Sequence, residues 1–182
     1  MSGSDTPRSR RELVSDVLRA LTPAQERRML LELVKAELLA ADIYAMAAVA
    51  EPISPAGQNL ARRLGNQERA HLNALAMLMS QSFGATLSPS QAEKALATHG
   101  IPVRFDELHT ERQWFTLLEQ LEGVLEGLYF RALGRLSDPG HALLAARILA
   151  SEAQHSTLLL SFRNPNNIQL DVAEGQIKGR AH

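Results

Sequence analysis

Read for hydrophobic and polar positions, the chain contains four long stretches in which apolar residues recur every three or four places, the period of an amphipathic helix. In the first, Leu30, Leu33, Val34, Ala41, Tyr44 and Ala48 form one stripe and predict a helix from about Pro23 to Ala50. Thr22-Pro23 marks its start, an N-cap followed by proline at the first helical position. Glu51-Pro52-Ile53-Ser54-Pro55 marks its end, because proline disfavours helical geometry in the residue before it. The second helix is predicted from about Ala56 to Phe83 on Leu60, Ala61, Leu64, Leu72, Leu75 and Met79, with Gly84 as its stop. The third runs from about Asp106 to Leu136 on Phe115, Leu118, Leu125, Tyr129 and Leu133. The fourth, from about His141 to Arg163, follows the tight turn Ser137-Asp138-Pro139-Gly140 and carries Ala145, Ile148, Leu149, Leu159 and Phe162.

The remaining segments punctuate these helices. Residues 1–8 read as a flexible leader, and Arg10 to Leu21 as a short helix with a narrow stripe of Leu13, Val14, Val17 and Leu18. Ser88-Pro89-Ser90 caps a short helix to about Thr98, broken by Gly100 and Pro102, so residues 84–105 form one long connection. Beyond Asn164-Pro165 the chain is polar, with Ile168, Leu170, Val172 and Ile177 scattered through it, a tail expected to be mobile or docked on a partner. The chain therefore divides into a leader with its short helix (1–22), a bundle (23–163) and a tail (164–182). Two short-loop hairpins joined by a long connection predict an all-α four-helix bundle with one crossover.

Composition narrows the picture. The 182 residues suit one domain with a sizeable core, and 45% hydrophobic against 4% aromatic residues is the vocabulary of helices rather than sheets. A net charge of -1 gives no nucleic-acid footprint, and no apolar run reaches the ~20 residues of a membrane span. Met1 to Arg11 is polar and basic with no apolar segment behind it, which argues against a secretory signal. The absence of cysteine excludes disulfides, Fe–S clusters and thiolate metal sites, and fits a cytoplasmic protein.

The candidate chemistry lies within the apolar stripes. Gln67-Glu68-Arg69-Ala70-His71 and Ser151-Glu152-Ala153-Gln154-His155 each contain Glu-x-x-His, whose two side chains share a helix face one turn apart. Glu37 is followed seven residues later by Tyr44, and Glu122 seven residues later by Tyr129, the chain's two tyrosines. Glu37 to Glu122 and Tyr44 to Tyr129 are both 85 residues, while Glu68 to Glu152 and His71 to His155 are both 84. One helix hairpin is written twice, with four Glu and two His facing inward. A carboxylate in an apolar helix face costs several kcal/mol unless it is paired or metal-bound. Two dications would compensate the set, and carboxylate with imidazole suits iron or manganese. The plainer alternative is a decayed pair of hairpins held by salt bridges without metal.

Other groups have simpler readings. Asp106-x-x-His109 falls in the predicted first turn of the third helix, where Asp is a good start residue, and Asp138-x-x-His141 spans the Pro-Gly turn. Both pairs are expected at the surface. Glu119 and Glu126 flank Glu122 by one turn and are alternative ligands, expected at the bundle edge, with one of them a candidate supporting group. Trp114 is expected to pack at the helix start. Tyr44 and Tyr129 read either as ordinary core aromatics or as hydroxyls that bond ligand carboxylates or carry an electron near the metals.

At these residues the chain resembles the ferritin-like superfamily of ferritins, bacterioferritins, rubrerythrins and related bacterial proteins. The shared pattern is Glu with Tyr seven later, Glu-x-x-His, Glu, and Glu-x-x-His. It maps onto Glu37 with Tyr44, Glu68 with His71, Glu122, and Glu152 with His155, across about residues 23–163. The resemblance implies an up-down-down-up bundle in which Glu37 and His71 terminate one metal, Glu122 and His155 the other, and Glu68 and Glu152 bridge them. No Cys-rich segment follows the bundle and residues 164–182 show no clear fifth helix, unlike a rubredoxin-tailed rubrerythrin or a 24-subunit storage cage. The added helix near 10–21 and the proline-broken 84–105 segment look more like the lesser-known bacterial members.

The chemistry so implied is ferroxidase or peroxidase-type: two ferrous ions oxidised by dioxygen or peroxide. Manganese is the alternative metal, and a homo-oligomer, dimer or larger, is expected by analogy. Two other functions remain open: oxygenation of an organic substrate on the same centre, with Ala40, Ala41, Ala47, Ala48 and Ala70 leaving room for it, and a metal-free interaction module that docks a partner through the leader or the tail.

Overall fold

The structure, a computed structural model, describes residues 22–83 and 86–165. The sequence-predicted helix at 10–21 and nearly all of the tail lie outside them. Five α-helices are present among the described residues: α1 (Pro23–Ala47), α2 (Pro55–Leu78), α3 (Pro89–Thr98), α4 (Glu111–Leu133) and α5 (Pro139–Arg163). Each begins on a side chain that satisfies its first amide donors: Thr22, Ser54, Ser88, Thr110 and Asp138. Thr22 and Ser88 form full capping boxes with Gln25 and Gln91, and four of the five helices add proline in the first turn.

Boundaries differ from expectation where local chemistry intervenes. The third long helix starts at Glu111 rather than Asp106, because Thr110 caps it and Phe105–Glu107 closes a separate 3-10 turn. Asp106 and His109 therefore lie before the helix and not in its first turn. Asp138 caps α5 directly, so Pro139 and Gly140 are helical rather than part of a turn. The second long helix stops at Leu78, five residues short of Phe83. Ser80 there adopts φ 51°, and the amide of Gln81 donates to the carbonyl of Ala76 at 3.0 Å, closing the helix in a left-handed cap.

Cross-helix contacts define the topology. Arg27 at the start of α1 donates to Gln81 beyond the end of α2, so these helices run antiparallel. Tyr44 reaches Glu122 while Tyr129 reaches Glu37, which sets α4 antiparallel to α1. Ser156 to Glu126 and Arg163 to Glu119 set α5 antiparallel to α4. The order is up-down-down-up, as expected, and the connection from α2 to α4 must span the bundle's length. Asp42, buried on α1, accepts from the amide of Leu87 at 2.7 Å and holds that crossover down, with α3 packed beside it. At one end, Glu111 accepts from the amide and hydroxyl of Ser54 at 3.0 and 2.6 Å. At the other, Glu26 accepts from Ser137, the amide of Asp138, and His141 at 2.9, 3.1 and 3.0 Å, tying α1 to the α4–α5 junction.

The core has two apolar clusters. One gathers Ile43, Leu64, Leu118, Leu121, Leu125 and Leu159, the other Leu30, Leu33, Leu72, Leu75 and Ile148. Along α1, α2 and α5 the change from one cluster to the other falls at Glu37, Glu68 and the Glu152–His155 turn. A polar layer thus crosses the middle of the bundle. Among the described residues, no helix is long and apolar enough to cross a membrane.

The two left-handed caps yield a test. Gly100 (φ 79°) occupies its cap with the residue suited to it, whereas Ser80 (φ 51°) carries a Cβ into the same region. Ser80→Gly should raise stability by about 1 kcal/mol, and Gly100→Ala should lower it by a similar amount. Denaturant melts of the two variants check the pair.

Candidate metal centre

The structure brings all six inward residues together. Glu37 comes from α1, Glu68 and His71 from α2, Glu122 from α4, and Glu152 and His155 from α5. The four carboxylates are fully buried and His155 is 1% exposed. Their side chains form two overlapping groups, Glu37–Glu68–His71–Glu152 and Glu68–Glu122–Glu152–His155, each with donor atoms within 4.8 Å of one another. Glu68 and Glu152 belong to both, the arrangement of a two-metal site with two shared carboxylates.

The contacts repeat with the hairpins. Nδ1 of His71 lies 2.9 Å from Glu152, and Nδ1 of His155 lies 2.7 Å from Glu68. The rings stack with centroids 5.8 Å apart. The Tyr44 hydroxyl donates to Oε1 of Glu122 and the Tyr129 hydroxyl to Oε1 of Glu37, so each hairpin's tyrosine holds the other hairpin's carboxylate. What remains is unsatisfied. Oε2 of Glu37, Oε2 of Glu122, both oxygens of Glu68 and Glu152, and Nδ1 of both histidines are buried without a properly directed hydrogen bond. Eight buried donor atoms thus belong to these two overlapping groups without a directed partner. Leaving even one such group unpaired costs on the order of 1–3 kcal/mol, and charged ones cost more. The set fits a pair of cations.

Without metal, protons take up the strain. Burial would lower the His71 imidazole, but Glu152, Glu37 and Glu68 around it push it up to about 11. His155, likewise opposed by burial, is pushed up to about 12 by Glu122, Glu152 and Glu68. Burial, reinforced by neighbouring carboxylates, raises Glu37 and Glu122 well above the usual range. Glu152 goes the other way: burial opposes its ionisation, but His155 and His71 hold it down to about 2. Burial and the adjacent carboxylates keep both phenols protonated, so Tyr44 and Tyr129 remain donors.

Several neighbours settle into other roles. Glu119 pairs with Arg163 at 2.8 Å and Glu126 accepts from Ser156 at 2.6 Å, both between α4 and α5 rather than in the cluster. Trp114 packs near the α4 start, stacked on Phe105. Asp106 pairs with Arg104 at the surface. His141, expected at the surface, is instead half-buried against Glu26. Two contributors escaped the sequence reading. Gly65 lets α2 approach α1 so closely that a Cβ there would stand 2.8 Å from Cβ of Tyr44. Oε1 of Gln67 lies 2.5 Å from Nε2 of His155. Gln67 stood in the repeated motif, but only the helix pairing shows which histidine it meets.

A family profile described as "Ferritin-like domain" matches residues 27–164. No curated protein and no solved structure matches the chain.

The charge pattern sets a pH dependence for the metal-free protein. His71 and His155, raised from 6.5 to about 11 and about 12, contribute stability that is complete below pH 6.5 and lost as pH rises toward those values. The raised Glu37 and Glu122 act with the same sign. Glu152, lowered from 4.5 to about 2, contributes stability above 4.5 that is lost in acid. Melts in chelator should show stability falling steadily from about pH 6.5 to about pH 9, with metal ions restoring it most strongly at the alkaline end as they displace these protons. Equal stability of the chelated protein at both values would contradict this charge assignment.

Proposed function

The chain belongs to the ferritin-like domain family, and on that premise we propose that its buried cluster holds two iron ions and oxidises Fe(II) with dioxygen or peroxide as the electron acceptor. The observation that carries this reading is the set of eight buried donor atoms without directed hydrogen bonds, divided into two groups that share Glu68 and Glu152. Glu37 with His71 would complete one position and Glu122 with His155 the other. All donors are oxygen or imidazole nitrogen, which suits iron, with manganese as the alternative. Bound iron supplies the redox chemistry: two ferrous ions give up one electron each, the pair that with two protons converts dioxygen to hydrogen peroxide, or peroxide to water.

The chain's own residues prepare that chemistry. Tyr44 and Tyr129 occupy one oxygen of Glu122 and of Glu37, and so aim the other oxygen of each into the cluster. Each histidine presents Nδ1 to the carboxylates. The two apolar clusters exclude water from both sides, which strengthens attraction between the carboxylates and a cation. The protons held by His71, His155, Glu37 and Glu122 leave as cations enter. The same tyrosines bond the two carboxylates that would hold the irons, the place where a residue could pass an electron onward.

Neither other reading gains a comparable observation. Ala40, Ala41, Ala47 and Ala48 are buried, which favours close helix packing there over a substrate cavity, and Ala70 is exposed. A metal-free module would have to retain four fully buried carboxylates for no purpose that the packing supplies.

Anaerobic Fe(II) titration of metal-stripped protein should saturate at about two irons per chain, the stoichiometry of a two-metal site. Admitting oxygen or peroxide should then bring up near-ultraviolet oxidised-iron absorption. Ions at 100 times their Kd should raise unfolding stability by about 2.7 kcal/mol. The double variant Glu68→Ala/Glu152→Ala should lose both irons, and two irons retained there would defeat the ligand assignment.

A further inference from the structure

The two hairpins repeat the six cluster residues faithfully but diverge just before each Glu-x-x-His, where Gln67 stands in one copy and Ser151 in the other. The structure gives this difference a consequence. Gln67 is a surface residue of α2, yet its amide oxygen reaches to 2.5 Å from Nε2 of His155 on α5. Ser151, one turn before His155 on the same helix, places its hydroxyl 3.4 Å from the same nitrogen. Both copies' variable residue thus attends to His155. His71 receives neither: no hydrogen bond to its Nε2 exists among the described residues, and 13% of its side chain is exposed against 1% for His155. His71 is the one member of the cluster with appreciable exposure; the other five are at 0–1%.

We infer that Gln67 is a positioning residue that makes the two halves of the centre unequal, closing and tightening the Glu122–His155 half while leaving the Glu37–His71 half as the one where ions exchange. This rests on the reading of the cluster as a two-metal site. The physical argument runs through the imidazole. To present a lone pair at Nδ1, where Glu68, Glu152 and Glu122 converge at 2.7, 3.2 and 3.6 Å, His155 must carry its proton on Nε2. The Gln67 carbonyl accepts that proton, which selects the tautomer, fixes the ring and makes Nδ1 a better donor. His71, with Nδ1 equally turned to the carboxylates, has its tautomer and ring angle set by nothing on the far side. A ring free to turn at the solvent edge releases an ion more readily than one held at both nitrogens. The asymmetry stems from the position just before each Glu-x-x-His, a long amide in one copy and a short hydroxyl in the other.

Calorimetric titration of metal-stripped full-length protein with Mn(II) tests this. The wild type should bind in two distinguishable steps. His71→Ala should remove the weaker step and keep the tighter. Gln67→Ala, at an exposed position where folding is not at risk, should weaken the tighter step by about 10- to 100-fold, the usual loss when a ligand's supporting bond is removed. Gln67→Glu, which keeps an acceptor at the same reach, should restore it; a merely structural role for the side chain would not sort the two variants this way. The inference is overturned if Gln67→Ala leaves both steps at wild-type strength, or if His71→Ala removes the tighter one. Those results would leave the two-metal reading standing. Absence of any Mn(II) or Fe(II) binding by the wild type would instead bring down that reading and this inference together.

Discussion

Four carboxylates buried at 0% exposure in the middle of a helical bundle are the constraint on which the rest of this molecule depends. Apolar packing alone cannot accommodate them, because each ionised group that leaves water costs several kcal/mol even after the surroundings relax. Protons or cations must supply the compensation. In the metal-free state, protons on two imidazoles and two carboxyls do so, and they lower the charge without giving every oxygen a partner. Those unpartnered lone pairs make a cation the better complement. Stability and the proposed function therefore draw on the same groups: what makes the metal-free core awkward is what suits the cluster to cations.

The hairpin repeat makes such a layer possible with few residue types. Two antiparallel pairs related by an approximate two-fold place Glu68 against His155 and Glu152 against His71, and each tyrosine reaches the opposite hairpin's carboxylate. Crossed contacts of this kind lock helix register, since a shift of one turn along α1 or α4 would break both tyrosine bonds, and a shift along α2 or α5 would break both imidazole contacts. Close approach is needed as well, and Gly65 provides it where α2 passes Tyr44. The ends of the bundle are tied by separate buried or half-buried groups, Glu26 at one and Ser54 with Glu111 at the other. Asp42 holds the crossover along α1.

Departures from the two-fold carry as much information as its agreements. An ideal dyad would give two identical positions. Just before each Glu-x-x-His this chain carries a different residue in each copy, and that difference falls on the hydrogen bond behind a candidate ligand. Binding strength at a cluster of this kind is set as much by what holds the far nitrogen of an imidazole as by the atom that faces the ion. A surface glutamine thereby influences a buried site that it does not line.

Much of this was legible in the chain itself. Apolar periodicity, N-cap residues followed by proline, and the long 84–105 connection determined a four-helix bundle with one crossover, because these signals act within one or two helical turns. The near-constant interval of 84 or 85 residues singled out Glu37, Glu68, His71, Glu122, Glu152 and His155, since a repeat written in sequence becomes a symmetry in space. Other features depended on pairs distant in sequence, where no local pattern exists to read. The start of α4 at Glu111 was decided by Thr110 as its cap, with Asp106 left in a separate 3-10 turn, and the early end of α2 by a left-handed turn at Ser80. The partner of each tyrosine, the burial of Asp42 and Glu26, the close approach at Gly65 and the choice of His155 over His71 by Gln67 were settled by helix register. Local chemistry determines which residues lie on a face; only packing decides which face each one meets.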